Sequence, residues 1–175
     1  LGHYEGNDLS DALKRVDRVI GGRIKQAFDD KAFSGKFLET ALLRTDHQAV
    51  SRILLLGLGG TKEVTLDKIR QAMGKAATTA RDSGGTQLAV SVLGAGTSDI
   101  AQAMVEGVIL SLYQFNLYKT DRKEDDKEIT KLTILTTDPS KNSAVSKGVL
   151  HGQFIADAVN SARTLCNLPG NVLTP

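Results

Sequence analysis

The sequence predicts an α/β fold, a layered sheet with helices on its faces. Three observations carry that prediction. β-type runs and helical stripes alternate through the second half of the chain. One run, Ser51-Arg52-Ile53-Leu54-Leu55-Leu56, is continuous and is closed by Gly57, the pattern of a strand buried on both faces. The 175 residues, 41% apolar and 24% charged, suffice for one globular domain with a proper core.

The elements follow in order. Asn7 or Asp8 is placed to cap a first helix, in which Leu9, Leu13, Val16, Ile20, Ile24 and Phe28 recur every three or four residues. Gly21-Gly22 weakens or kinks that helix near its middle. Lys36 to Arg44 reads as a strand and Asp46-His47 as a turn. After the strand ending at Leu56, Thr65 caps a helix with the stripe Leu66, Ile69, Met73, Ala76 and Ala80, and Gly84-Gly85 ends it. Leu88 to Leu93 is the next strand, broken by Gly94-Ala95-Gly96. Ser98 or Asp99 opens a helix with Ile100, Met104, Val108 and Leu112 on one face. Lys119 to Lys127 is charge-dense and reads as a solvated loop. Leu132 to Leu135 is a strand, and Ser143 to Leu165 a last helix with Val145, Val149, Ile155, Val159 and Ala162 inward. There is no internal repeat or low-complexity tract.

A net charge of +2 is too small to imply a nucleic-acid or membrane partner. The basic residues are intermixed with acids and lack interleaved aromatics, against single-strand stacking. No run of about 18 apolar residues is present. A single cysteine, Cys166, allows no internal disulfide. The opening Leu1-Gly2-His3-Tyr4 is neither an initiator Met nor a signal peptide and reads as a trimmed start. At the other end, Pro169 and Pro175 bias their predecessors toward extended geometry, as in a connector, so the chemistry is expected beyond Pro175.

Motifs for chemistry fail one by one. Gly57-Leu58-Gly59-Gly60-Thr61-Lys62 follows a strand and precedes a helix, a place where a phosphate could sit. Its spacing is neither that of a dinucleotide fingerprint nor that of a P-loop, and tight-turn glycines explain it. Gly94-Ala95-Gly96 reads the same way. His3, His47 and His151 are scattered, without metal-ligand spacing. Cys166 has no evident base or orienting group. Glu124, Asp125, Asp126 and Glu128 cluster in a run that cannot hold two carboxylates at fixed separation. No residue is assigned a catalytic, cofactor-binding or metal-binding role.

Two segments go further. Glu106-Gly107-Val108-Ile109-Leu110-Ser111-Leu112-Tyr113-Gln114-Phe115-Asn116-Leu117-Tyr118-Lys119 fits the pattern Glu-Gly-x-x-Leu-x-x-Tyr-x-Phe-x-x-Tyr-Lys at Glu106, Gly107, Leu110, Tyr113, Phe115, Tyr118 and Lys119. Ala162 to Pro175 fits Ala-Arg-x-Leu-x-Asn-x-Pro-x-Asn-x-x-Thr-Pro at Ala162, Arg163, Leu165, Asn167, Pro169, Asn171, Thr174 and Pro175. Together, and with the Gly57-Leu58-Gly59 turn, they resemble the N-terminal domain of the leucyl aminopeptidase family (cytosol aminopeptidases, M17 type) over nearly the whole chain. In the first segment Tyr113, Phe115 and Tyr118 group three of the eight Tyr and Phe residues as a packing anchor, read on a helix as pairs three apart.

The resemblance implies a macro-domain-like mixed β-sheet flanked by helices on both faces. It implies residues 1–165 as the N-terminal domain and 166–175 as the start of a linker into a catalytic domain. The family's first strand would be only partly supplied by Leu1 to Gly6. The chain itself would be non-catalytic, supporting hexamer assembly and active-site access. The parent would remove N-terminal residues from peptides with two divalent metals, Zn or Mn, held downstream. The implied location is cytoplasmic, with the plastid as alternative. Two other functions compete: a macro-type module binding ADP-ribose-like nucleotides through the glycine turns, and a DNA-binding domain, disfavoured by the near-balanced charge.

Overall fold

The chain enters as a two-residue strand, β1 (Gly2–His3), in a computed structural model that describes residues 1–48, 50–118 and 127–172. Ser10, rather than Asn7 or Asp8, caps α1 (Asp11–Val19); its hydroxyl accepts the Leu13 N–H at 3.3 Å. Gly21 and Gly22 adopt positive φ, 71° and 80°, and so divide the expected single helix into α1 and α2 (Arg23–Asp29). Lys36 to Glu39 is a turn, not strand. One Glu39 carboxylate oxygen accepts the N–H groups of Ser34, Gly35 and Lys36 and the Ser34 hydroxyl, at 2.8–3.1 Å. That knot delays β2 to Thr40–His47. Asp46 and His47 therefore close a strand instead of forming a turn, and Asp46 pairs with Arg23 at 2.8 Å.

β3 (Val50–Gly57) pairs antiparallel with β2 and parallel with β1, giving the sheet order β1-β3-β2. Residues 1–5 hold on to β3 by backbone bonds, among them Leu56 N–H to Leu1 O at 2.9 Å and Leu58 N–H to His3 O at 2.8 Å. So the short entry segment does supply an edge strand. α3 (Leu66–Asp82) is capped by Thr65 as expected. β4 (Gln87–Ser91) leads to α4 (Ser98–Leu112), whose cap is Thr97 rather than Ser98 or Asp99. β5 (Lys131–Leu135) pairs parallel with β4 as a second small sheet. α5 (Asn142–Asn167) runs two residues past its expected end. Of the loop expected over Lys119 to Lys127, Lys127 is exposed and outside any helix or strand, while residues 119–126, like Thr174 and Pro175, lie outside the described residues.

β3 is buried on both faces, as its sequence predicts. Ile53 and Leu55 pack with Leu13, Ile24, Ala27 and Phe33 under α1 and α2. Leu56 packs with Ile69, Met73, Met104 and Val108 under α3 and α4. Alternation along one strand thus feeds two cores, and helices cover both faces of a mixed α/β fold.

α5 departs from expectation in a specific way. Val145 is buried, but Ile155, Val159 and Ala162 are exposed; the seated face is Val145, Gly148, Gly152 and Ala156. The reason is close backbone approach. A Cβ on Gly152 would lie 2.7 Å from the Gln102 carbonyl oxygen of α4, and one on Gly148 would overlap the Ser98 carbonyl. Large side chains cannot occupy that seam, so they point away from it.

Candidate functional site

The glycine turns serve the backbone. A Cβ at Gly57 would overlap the Lys36 carbonyl. The Gly57 N–H bonds Glu39 O at 2.8 Å, Leu58 bonds His3 O, and Gly59 bonds Gly35 O at 3.0 Å. These amides are engaged internally, so they form no open cradle for a phosphate. Lys68 is likewise engaged, at 2.6 Å from Glu63 and over the Phe37 ring.

The titratable candidates do not converge. His3 is 4% exposed and stands edge-on to Phe28 with ring centroids 4.8 Å apart. Burial lowers its pKa, with a backbone hydrogen bond to Asn7 pulling the other way. His47 ends β2, while His151 and Cys166 are exposed on α5. Glu128 is exposed; Glu124, Asp125 and Asp126 lie outside the described residues. Among the described residues, no three His, Cys, Asp or Glu side chains come together as a metal site.

What the structure does bring together is the pair of sequence segments. Glu106, 4% exposed, pairs with Arg70 of α3 and accepts the Gln102 amide at 2.7 Å. A Cβ on the adjacent Gly107 would overlap the Arg70 carbonyl, so Glu106-Gly107 locks α4 onto α3. At the other end α4 stops at Leu112, not at Lys119. Its last carbonyls are taken from outside: Arg163 donates to Leu110 O at 2.9 Å and Asn160 to Ile109 O at 3.4 Å. Tyr113, the first residue past the helix, shares its hydroxyl with Thr164 at 3.1 Å and accepts from Asn167 at 3.4 Å. The Arg163 guanidinium lies 5.7 Å from the Tyr113 ring centroid. Phe115 and Tyr118 pair with each other, centroids 6.0 Å apart, beyond the helix rather than on it.

Sequence reasoning missed Arg70, Asn160 and the Gly148-Gly152-Ala156 seam. The last had a readable signal, small residues every four positions in one helix. Two further surfaces stand open among the described residues. Along α5 an apolar stripe is open, including Leu150 at 67% and Phe154 at 76% exposure, with Ile155 and Leu165. A groove of about 880 Å³ lies between β5, α4 and α5. Among the described residues, no helix is long and apolar enough to cross a membrane.

Residues 1–122 match the family model of the cytosol aminopeptidase family, N-terminal domain. A probable cytosol aminopeptidase of Alkaliphilus metalliredigens is 32% identical over 182 residues, covering 100% of this chain and 36% of that protein. One from Geotalea uraniireducens is 37% identical over 166 residues, covering 91% of this chain and 33% of that protein. The chain spans about a third of the length of these curated relatives. A tomato leucine aminopeptidase mutant shares the fold with TM-score 0.73 and 23% identity, over 94% of this chain and 32% of that one. The bottromycin maturation enzyme in complex with Mn gives 0.70 and 20% identity, over 99% of this chain and 32% of that one. At those identities the likeness is one of fold.

Proposed function

Since the chain belongs to the cytosol aminopeptidase family and matches its N-terminal domain, we propose that it is the non-catalytic scaffold of a peptide-trimming hydrolase. One observation carries the reading. The two sequence segments that mark the family meet in space, Tyr113 against Arg163, Thr164 and Asn167. That joint fixes the direction in which α5 leaves the domain. Residues 1–165 form the domain in this reading, and 166–175 begin the linker to a downstream catalytic domain.

The parent would remove N-terminal residues from peptides in the cytoplasm. Two divalent cations, Zn or Mn, would be held downstream and would supply polarisation of the scissile carbonyl and activation of water. This chain offers no converging ligand set among its described residues. Its contribution is assembly and access, within a hexamer. The open apolar stripe on α5 suits the downstream domain as its cover, because unpaired apolar faces of this kind mark interfaces. The ADP-ribose alternative loses ground to the engaged amides of Gly57 to Gly59.

The test compares two proteins. The 175-residue chain is expected to leave leucine p-nitroanilide intact with Mn²⁺ added, while a full-length parent hydrolyses it and sediments as a hexamer. Turnover by the purified chain, or an inactive full-length parent loaded with metal, would overturn the reading.

A further inference from the structure

We propose that the last three turns of α5, Asp157 to Asn167, are a strap latched to the domain through Tyr113, and that this latch decides whether the chain leaves the domain as a rigid helix or as a slack tether. The inference deepens the scaffold reading and rests on it only for there being a domain beyond α5.

The two halves of α5 are held by different means. Val145, Gly148, Gly152 and Ala156 are buried in the seam with α4. From Asp157 to Asn167 no residue is buried, and only Asn160 and Thr164 are half-buried. No apolar side chain of this stretch is fully withdrawn from water, so burial contributes little to holding it. Its sequence does not hold it either. Val159, Asn160, Ser161, Thr164, Cys166 and Asn167 are all weaker helix formers. Eleven residues are also too few for an isolated helix, which needs about 12–15 even with good formers.

What remains is polar and converges on one spot. Asn160 and Arg163 donate to Ile109 O and Leu110 O, at 3.4 and 2.9 Å. The Thr164 hydroxyl donates to Asn160 O at 2.9 Å, so its hydrogen is committed, and the Tyr113 hydroxyl is the donor in their 3.1 Å contact. The Tyr113 oxygen accepts in turn from Asn167 at 3.4 Å. The bonds thus run in one direction, from Asn167 through Tyr113 and Thr164 to Asn160, and each polarises the next. Among the described residues, every side-chain bond that leaves this stretch ends on Ile109, Leu110 or Tyr113.

The latch therefore controls reach. As helix the stretch spans about 16 Å; released and extended it spans about 36 Å, so the tether lengthens by about 20 Å. Release leaves the glycine seam in place, because Gly148 and Gly152 meet Ser98, Ala101, Gln102 and Val105, well before the end of α4. While the latch is closed, α5 is one continuous rod.

Amide hydrogen exchange of the 175-residue chain, followed by NMR, tests the proposal with Tyr113→Phe and Arg163→Met. Phe keeps the ring beside Arg163, and Met matches Arg as a helix former. In each variant the amides of Ser161 to Asn167 should exchange about 3–10-fold faster. Those of Val149 to Ala156 should change by less than about 2-fold. Leu165→Ala, in the same stretch but outside the latch, should stay within about 2-fold of the parent chain throughout. Unchanged exchange at Ser161 to Asn167 in either latch variant, an equal rise across Val149 to Ala156, or an equal rise in Leu165→Ala would each overturn the proposal. So would amides of Ser161 to Asn167 that are already unprotected in the parent chain. Exchange is read without turnover, so failure here leaves the aminopeptidase reading standing, and an inactive parent leaves the exchange result standing.

Discussion

Adding one methyl at Gly152 should push α5 off α4. A Cβ there meets Gln102 O at 2.7 Å, Val105 Cβ at 3.0 Å and Gln102 Cα at 3.2 Å, whereas ordinary contact begins at 3.4 Å. Two of the three obstacles are helix backbone, which cannot rotate aside. The seam must open by roughly 0.7 Å, and a gap of that size forfeits a quarter to a half of each contact's attraction. Overpacking of this kind costs about 1–3 kcal/mol. The better helix propensity of alanine returns about 1 kcal/mol. With rigid backbone as the obstacle, the overpacking cost falls in the upper part of its range, about 2–3 kcal/mol, so a net loss of about 1–2 kcal/mol follows, a fall in Tm of about 2–8 °C for a chain of this size. Thermal melts of three variants make the test sharp. Gly60→Ala, whose Cβ would find nothing closer than 3.9 Å, should melt within about 1 °C of the parent chain. Gly152→Ala should melt lower, and Gly148→Ala lowest, because its Cβ overlaps the Ser98 carbonyl. Gly152→Ala and Gly148→Ala melting together with Gly60→Ala would refute the close-approach argument.

Three further outcomes are expected. Arg70→Leu leaves the buried Glu106 carboxylate without its cation and should cost about 3–5 kcal/mol in urea titrations, whereas the double change Arg70→Leu with Glu106→Leu should recover most of it. Glu39→Ala should cost about 2 kcal/mol at neutral pH by removing a shared acceptor from four donors. Burial raises the Glu39 pKa, but the bonds from Ser34, Lys36 and Gly35 outweigh it and leave it lowered. Its contribution is therefore present above the usual carboxylate range and fades as pH falls through the lowered value, so wild type and variant should converge in acid. His3 behaves with the opposite charge. Its pKa is lowered, so the unfolded chain takes up the proton first as pH drops below about 6.5, and stability falls. His3→Phe keeps the ring contact with Phe28 and should flatten the stability profile below that pH.

The strands and helices with strong periodicity were legible in the sequence. β3 announced itself through an unbroken apolar run, and α3 through its stripe and the Thr65 cap. Boundaries failed where a side chain captured backbone groups. Glu39 gathers the amides before β2, and Ser10 takes the cap that Asn7 or Asp8 was expected to supply. α5 misled for a different reason. Apolar residues normally point inward, but here glycines do, because two helix backbones touch and the bulky residues are displaced to the far side. The Glu106-Gly107 pattern was readable as a motif, yet its partner Arg70 was not. An ion pair across 36 positions leaves no local trace. No catalytic group was assigned from the sequence, and the chain's three histidines and single cysteine do not converge in space.

α5 is about 39 Å long by its 26 residues. It is gripped near its start by the glycine seam and near its finish by the cluster around Tyr113. A rod fastened at two separated points does not swivel. Any torque applied at its C-terminal end is delivered to α4, and through Glu106 to α3, so the three helices should turn as one lever rather than bend at a joint.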